Sequence, residues 1–349
     1  MNEILLDSRI DSKKTLVIQP LPGIGDMVWY LPYIHAIAEV DEAKRVDVFT
    51  KKRSMAEQLF DADASVANVL WFDDVMTRGS WFSGVWNLVK LLRKHNYQRV
   101  WVLHESPRYA LVAMLAGIPD RYGYGLSWQS RCLNKGVYLS ALFAKAHPID
   151  KANEFFRLNQ IKLQSDVPKI VLNEAKVDMV KVQMHSAQKP WIALGIGSSE
   201  DNRQWGEENF TQLAKQILQA FGGTLFILCG PAEQMSADHI KQGLPEVHRQ
   251  QVVNVIAQPL SEVCALLSLS DVFVGNDTGM LNVSAATGVP SFGLFGVALS
   301  HRLADESRNI YAIFPNEVRD EVVDKSSNNS MSAITVSSVM AKIEQLLKK

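Results

Sequence analysis

Short apolar runs alternate with amphipathic stretches almost from one end of the chain to the other. In the first half, 15–19, 45–50, 69–72 and 99–103 read as strands, and 26–40, 53–60, 81–95 and 107–117 as helices. A second set places strands at 191–196, 224–228, 251–255, 272–275 and 291–294, with helices at 207–220, 232–242, 261–269 and 279–287. Alternation of this kind predicts an α/β protein with parallel sheets covered by helices on both faces. Within 81–95, Trp81, Phe82, Val85, Leu88, Val89 and Leu92 recur at helical spacing and are expected to face a sheet, leaving Trp86, Lys90, Arg93 and Lys94 outside. The stretch 158–189 is more polar, holds Pro168 and breaks the pattern. It predicts a boundary within 165–190, hence two Rossmann-like, doubly wound domains, 1–175 and 176–349, whose strand ends face a central cleft. The closing helix 335–347 is able to pack back toward the first domain.

Composition narrows the class. The 349 residues are 47% hydrophobic and 21% charged, as in globular proteins with sizeable cores. With 36 Lys and Arg against 37 Asp and Glu, the net charge of -1 gives no general attraction to nucleic acid, and none is expected as a partner. Cys132, Cys229 and Cys264 are odd in number and far apart, which fits buried thiols in a reducing compartment better than disulfides or a zinc site. The polar start MNEILLDSRIDSKK does not resemble a signal peptide, and no apolar run is long enough to span a bilayer, so a cytoplasmic location is expected.

Candidate chemistry collects in loops that follow strands. The stretch 271–296, DVFVGNDTGMLNVSAATGVPSFGLFG, reads as strand, polar turn, short helix, turn and strand, with Gly288 and Pro290 as stop signals. Asp277 or Thr278 can cap the helix, and Gly279 lets a ligand approach the backbone, so its N-terminus suits a phosphate. An ordinary βαβ turn would look the same. In QPLPGIGDMVWYLP (19–32), Gly23 and Gly25 lie between a strand and a helix, but Val28 stands where a dinucleotide fingerprint needs its third glycine. Asp26 at that helix start can take a proton from a hydroxyl or simply cap the helix. GIGSSEDNRQW (195–205) offers Gly197 and Ser198 as N–H donors to an anion and Arg203 as a planar cation for phosphate, unless Arg203 is spent on Glu200, Asp201 or Glu207. In LCGPAEQ (228–234), Glu233 at a helix start can hold the two hydroxyls of a ribose or serve the helix dipole.

Together these motifs resemble glycosyltransferase family 9, the heptosyltransferases of bacterial lipopolysaccharide synthesis. PGIGDMVWYLP is similar to the family's N-terminal GxGD loop, GIGSSEDNRQW to its loop ending in a basic residue, one residue and Trp, and CGPAEQ to its nucleotide loop. SPRYALVAMLAGIPDRYGYG (106–125) is similar to its LAG…R-x-G segment, and DTGMLNVSAATG to its D-[ST]-G helix. The resemblance runs through both halves in order.

It implies a GT-B fold, with the acceptor on the N-terminal domain near Gly23 and Gly25 and a nucleotide-sugar on the C-terminal domain. The implied donor is ADP-L-glycero-D-manno-heptose and the implied acceptor a lipid-linked oligosaccharide, with inversion and no required metal or other cofactor. By position, Asp26 would be the general base and Arg203 the cation on the donor phosphates. Glu233 would serve the ribose, Asp277 the donor or its loop, and Gly197, Ser198, Thr278 and Gly279 the nucleotide and diphosphate. The chain departs at Asn282, where the family commonly has His; Asn can donate a hydrogen bond but cannot become cationic. Another nucleotide-sugar, an epimerase reaction or a non-catalytic binder are the alternatives. Trp86, Lys90, Arg93 and Lys94 can rest near lipid head groups of the inner membrane, as a lipid-linked acceptor requires, or form a plain solvated helix face.

Overall fold

A computed structural model describes residues 14–73, 81–198, 200–296, 308–315 and 331–348, with the side chains of residues 81 and 82 outside the description. The chain divides into two compact units, Met1–Asp166 and Val167–Lys349.

The first unit is built on strands β1 (Thr15–Ile18), β2 (Val46–Thr50), β3 (Val66–Trp71), β4 (Arg99–Val102) and β5 (Asp120–Gly123). They form one parallel sheet in the order β3-β2-β1-β4-β5. Its helices are α1 (Ile24–Val40), α2 (Ala56–Leu59), α3 (Trp81–His95), α4 (Pro107–Ala116) and α5 (Pro148–Leu158). Successive side chains of a strand point to opposite faces. Leu16, Ile18, Val100 and Val102 therefore share one face, where they pack with Val85, Leu88, Val89 and Leu92 of α3 and with Val112 and Ala113 of α4. On the other face Trp101 stacks on Tyr122 at 4.0 Å and meets Phe155 and Phe156 of α5. Helix α1 joins that layer through Tyr33, whose ring meets Phe156 and whose hydroxyl donates to Asn153 Oδ1 at 2.6 Å. Pro32 lies inside an α1 that runs unbroken past it. The expected inward face of α3 is buried from Val85 to Leu92, and Trp86, Lys90, Arg93 and Lys94 are exposed. The expected burial of Trp81 and Phe82 falls outside the described side chains.

The second unit contains β6 (Trp191–Gly195), β7 (Thr224–Cys229), β8 (Val252–Ile256), β9 (Val272–Asn276), β10 (Ser291–Leu294) and β11 (Ile310–Ile313). They make a parallel sheet in the order β11-β10-β9-β6-β7-β8. Its helices are α6 (Glu174–Gln183), α7 (Glu207–Phe221), α8 (Gln234–Gln242), α9 (Glu246–Arg249), α10 (Leu260–Ser268), α11 (Gly279–Ala286) and α12 (Val336–Leu347). The closing helix α12 puts Val339, Met340 and Ile343 into the same core as Phe210, Leu213, Ala214 and Ile217 of α7. The segment 167–175, grouped by sequence with the first domain, lies in this unit, where Ile170 N–H donates to Ala286 O at 2.9 Å. Cys132 and Cys264 are buried and Cys229 half-buried, all three as free thiols. Among the described residues no helix is long and apolar enough to cross a membrane.

At the centre of this sheet Gly195 of β6 pairs with Gly275 of β9. Phe273 occupies the space both glycines leave open. A Cβ on Gly195 would lie 2.5 Å from Phe273 Cζ, and one on Gly275 2.7 Å from the same atom and 2.8 Å from Gly195 O. The carbonyl cannot move without breaking the strand pair, so Gly275→Ala is expected to cost about 1–3 kcal/mol, the usual penalty for an overpacked core. Urea unfolding measures it; a variant as stable as the parent would mean that the ring has room to turn.

Candidate functional site

In the first unit, adjacent parallel strands β1 and β4 deliver their loops to one edge of the sheet. After β1 the chain passes through fully buried Gln19 to Gly23, the residue before α1, in extended conformation. Asp26 sits in the first turn of α1, and its Oδ2 accepts the Gly23 N–H at 3.0 Å. A Cβ on Gly23 would stand 2.7 Å from that oxygen, so the close approach depends on glycine. Gly25 is buried beside it. Partial burial raises the Asp26 pKa above its ordinary value, while the Gly23 N–H and the neighbouring His147 pull the other way. The carboxylate is thus a stronger base than a solvated one, already oriented through one oxygen.

The β4 loop adds residues that the sequence reading passed over. Lys151 of α5 is buried and ion-paired with Glu105. Before it, His104 accepts the Ser106 N–H on Nδ1 at 2.9 Å, and burial lowers its pKa. A lysine inside an otherwise apolar helix face was no signal by pattern alone, because buried lysine is rare without a partner distant in sequence.

In the second unit β9, β6 and β7 are neighbours, so the three loops singled out by sequence leave the same edge of one sheet. After β6, Gly197 lies against Glu233: a Cβ there would be 3.5 Å from the Glu233 carboxyl carbon. Glu233 ends a short 3-10 turn just before α8, later than the predicted helix start, and its Oε2 accepts the Gly230 N–H at 3.1 Å. Ser198 Oγ donates to Glu200 O at 3.0 Å, and its carbonyl accepts from Gln204 Nε2 at 3.1 Å, which ties Ser198 to the turn before Trp205.

Arg203 bridges two loops. Its Nε is 3.1 Å from Glu200 Oε2, and its Nη1 is 3.4 Å from Asp277 Oδ2. Its side chain is 44% exposed while that of Asp277 is 12% exposed, so the cation is the accessible partner. Trp205 packs the loop, buried edge-on to Phe210 with its indole N–H donated to Ile334 O at 2.8 Å. Thr278 stands at the start of α11 with extended backbone, but its side chain makes no capping bond, contrary to one of the two expected caps. Gly279 opens the helix, and Asn282 one turn on donates to Thr278 O at 3.4 Å.

Asn276, the residue before Asp277, was missed. It is fully buried; its Oδ1 accepts the Trp205 N–H at 3.2 Å and its Nδ2 donates to Ile196 O at 2.8 Å. One amide therefore ties the β9 loop to both ends of the 196–205 loop. The signal was present as a polar residue closing the apolar run Val272–Gly275. Among the described residues no group of three or more His, Cys, Asp or Glu side chains is gathered as for a metal ion.

The family model described as glycosyltransferase family 9 (heptosyltransferase) matches residues 85–331, more than half of the chain. Lipopolysaccharide heptosyltransferase 2 of Salmonella typhimurium is 25% identical over 275 residues, 74% of this chain and 78% of that protein. Its Escherichia coli counterpart is 27% identical over 218 residues, 59% of this chain and 61% of that protein. Among solved structures, E. coli ADP-heptose LPS heptosyltransferase II superposes with a TM-score of 0.76 at 20% identity, covering 96% of this chain and 98% of the other. The fold is thus GT-B along its length. A UDP-GlcNAc 2-epimerase from Methanocaldococcus jannaschii shares it at a TM-score of 0.54 and 10% identity, covering 97% of this chain and 93% of the other.

Proposed function

Because the chain belongs to glycosyltransferase family 9 (heptosyltransferase), we propose that it moves a heptose from ADP-L-glycero-D-manno-heptose to a hydroxyl of a lipopolysaccharide or lipooligosaccharide core acceptor, inverting the anomeric centre without requiring a metal. The names of the Salmonella and E. coli relatives support the sugar and the acceptor. The observation that carries the reading is the side-by-side placement of the three donor-type loops on β6, β7 and β9. It puts an accessible arginine, a helix N-terminus and a carboxylate on one edge of the second unit.

The first unit, Met1–Asp166, is assigned the acceptor and the second, Val167–Lys349, the donor. In the step itself, Asp26 takes the proton of the acceptor hydroxyl as that oxygen bonds to the anomeric carbon, from the face opposite the diphosphate. The bond from that carbon to the diphosphate oxygen breaks, and its electron pair leaves with ADP. Arg203 and the N–H groups of Thr278 and Gly279 stabilise the charge that develops there. Gly197 and Ser198 line the nucleotide, Glu233 holds its ribose, and Gly23 and Gly25 shape the acceptor side. Asp277 acts through Arg203, since a carboxylate facing a diphosphate would repel it.

Asn282 favours a second reading, in which the donor is another nucleotide-sugar or is bound without transfer. Thermal unfolding with a panel of nucleotide-sugars tells the donors apart, and an assay of sugar transfer to a core acceptor tells a transferase from a binder. A donor at about 100 times its Kd stabilises by about 2.7 kcal/mol, and ADP-heptose is expected to give the largest rise. Stabilisation by UDP-sugars alone would overturn the ADP-heptose assignment. Donor turned over without any acceptor would instead mark an epimerase. Peripheral contact with the cytoplasmic face of the inner membrane completes the proposal.

A further inference from the structure

Helix α4 lies between α3 and the 3-10 turn Ser127–Cys132, in contact with both, and α3 and α4 cover one face of the first sheet. Arg93 of α3 crosses to α4, donating from Nη2 to Leu115 O at 2.8 Å, and Arg108 of α4 places its Nη2 against Gly84 of α3. The 127–132 turn is pinned to the unit by Gln129, fully buried, which accepts the Gly125 N–H at 2.7 Å and donates to His104 O at 2.7 Å.

Its composition is one-sided. Lys90, Arg93, Lys94, Arg108 and Arg131 belong to these three elements, and neither Asp nor Glu does. In a chain with 36 Lys and Arg against 37 Asp and Glu, that is a local segregation of charge. The carboxylates that border it are already paired, Glu105 with Lys151 and Asp120 with Lys135 and Arg99. Large apolar side chains stand out among the cations: Trp86 is 50% exposed on α3, Met114 36% on α4 and Trp128 43% on the turn. Indole rings beside Lys and Arg are the mixture suited to a lipid interface, where the ring sits among head groups and the cations meet their phosphates. A polyanion without aromatic or apolar groups would match the charge but give the exposed apolar side chains nothing to bury against.

We propose that the α3–α4–(127–132) face is a membrane-docking surface for a bilayer rich in anionic phospholipid, with Trp86 and Trp128 as its interfacial anchors. The inference names the surface for the peripheral contact proposed above and rests on that part of the reading; sugar transfer is measured separately, so either can fail alone.

The test is co-sedimentation of the full chain with vesicles of phosphatidylcholine, or of phosphatidylcholine mixed with phosphatidylglycerol. The parent is expected to partition onto the mixed vesicles, more weakly as salt rises, and far less onto the neutral ones. Each cation near an anionic surface contributes about fivefold, so Lys90→Gln/Lys94→Gln/Arg131→Gln should reduce partition about a hundredfold. Trp86→Ala/Trp128→Ala should reduce it severalfold at unchanged salt dependence. All five positions are exposed, and unchanged thermal unfolding confirms that the variants fold. Failure of the parent to bind mixed vesicles, equal binding by both variants and the parent, or retention on a soluble polyanion without vesicle binding would each overturn the proposal.

Discussion

Asp26→Asn is expected to lower kcat by about 10²–10⁴-fold, the usual worth of a positioned general base, and to leave donor binding and folding intact. Asn keeps an oxygen able to accept the Gly23 N–H that Oδ2 now accepts at 3.0 Å, so the turn retains its geometry while losing its proton acceptor. Electrostatics sharpens the expectation. Burial raises the folded-state pKa of Asp26 above its ordinary value of 3.8, so the native protein holds this proton more tightly than the unfolded chain. Stability contributed by Asp26 is then greatest below the ordinary pKa, and declines as pH rises through the window up to the raised value. At neutral pH the charged carboxylate is a burden on the fold. Asp26→Asn should therefore melt at the same temperature as the parent or slightly higher. The parent's kcat/KM should fall on the acid side as Asp26 is protonated, in a limb shifted upward from the ordinary aspartate value that the variant lacks. Single-turnover kinetics across pH, with thermal unfolding of both proteins, measures all three; unchanged turnover would remove Asp26 from the role.

Arg203→Ala is expected to lower kcat by about 10²–10³-fold, the range seen when one preorganised donor to a developing anion is removed. It should also raise the KM for the donor. Arg203 stands 3.4 Å from Asp277, and without it the Asp277 carboxylate faces an incoming diphosphate with less compensation. The second effect is separable: Arg203→Ala/Asp277→Ala should recover part of the donor KM but none of the kcat. Arg203→Lys keeps the charge but not the planar fork, so it should fall between parent and Ala. If Arg203→Ala leaves kcat unchanged, leaving-group stabilisation belongs elsewhere.

The interior of both sheets was legible because buried parallel strands are nearly continuous apolar runs, and each one predicted lies where a strand is found. The elements overlooked sit at margins. Strand β5, DRYG, is a half-exposed edge with one buried residue, and β11 is a four-residue edge strand. Helix α5 carries Pro148 at its start after His147, a start signal masked by the buried charge of Lys151 one turn in. Helix α6 buries only Val177 and Val180, so its apolar stripe was too thin to register, although Asn173 caps it through Ala175 and Lys176 N–H. In the site, the loops could be read because glycine, capping residues and charge after a strand have few other uses. Asn276 and the Lys151–Glu105 pair could not, since what defines them is a partner distant in sequence, 46 residues away for Lys151 and 71 and 80 for Asn276.

Phe273 and the two glycines beneath it bear on how such an enzyme could be re-engineered. The ring acts as a key in a slot, holding β6 and β9 at one register, and a slip of a single residue would shift one donor loop by about 3.3 Å and turn its side chains over. The loops are thus decoupled from the frame that spaces them. Segments within 197–204 and beyond Asn276 could be exchanged with those of other transferases to alter donor choice, provided that the Gly195, Phe273 and Gly275 trio and the Asn276 amide with its Ile196 and Trp205 partners stay with the scaffold.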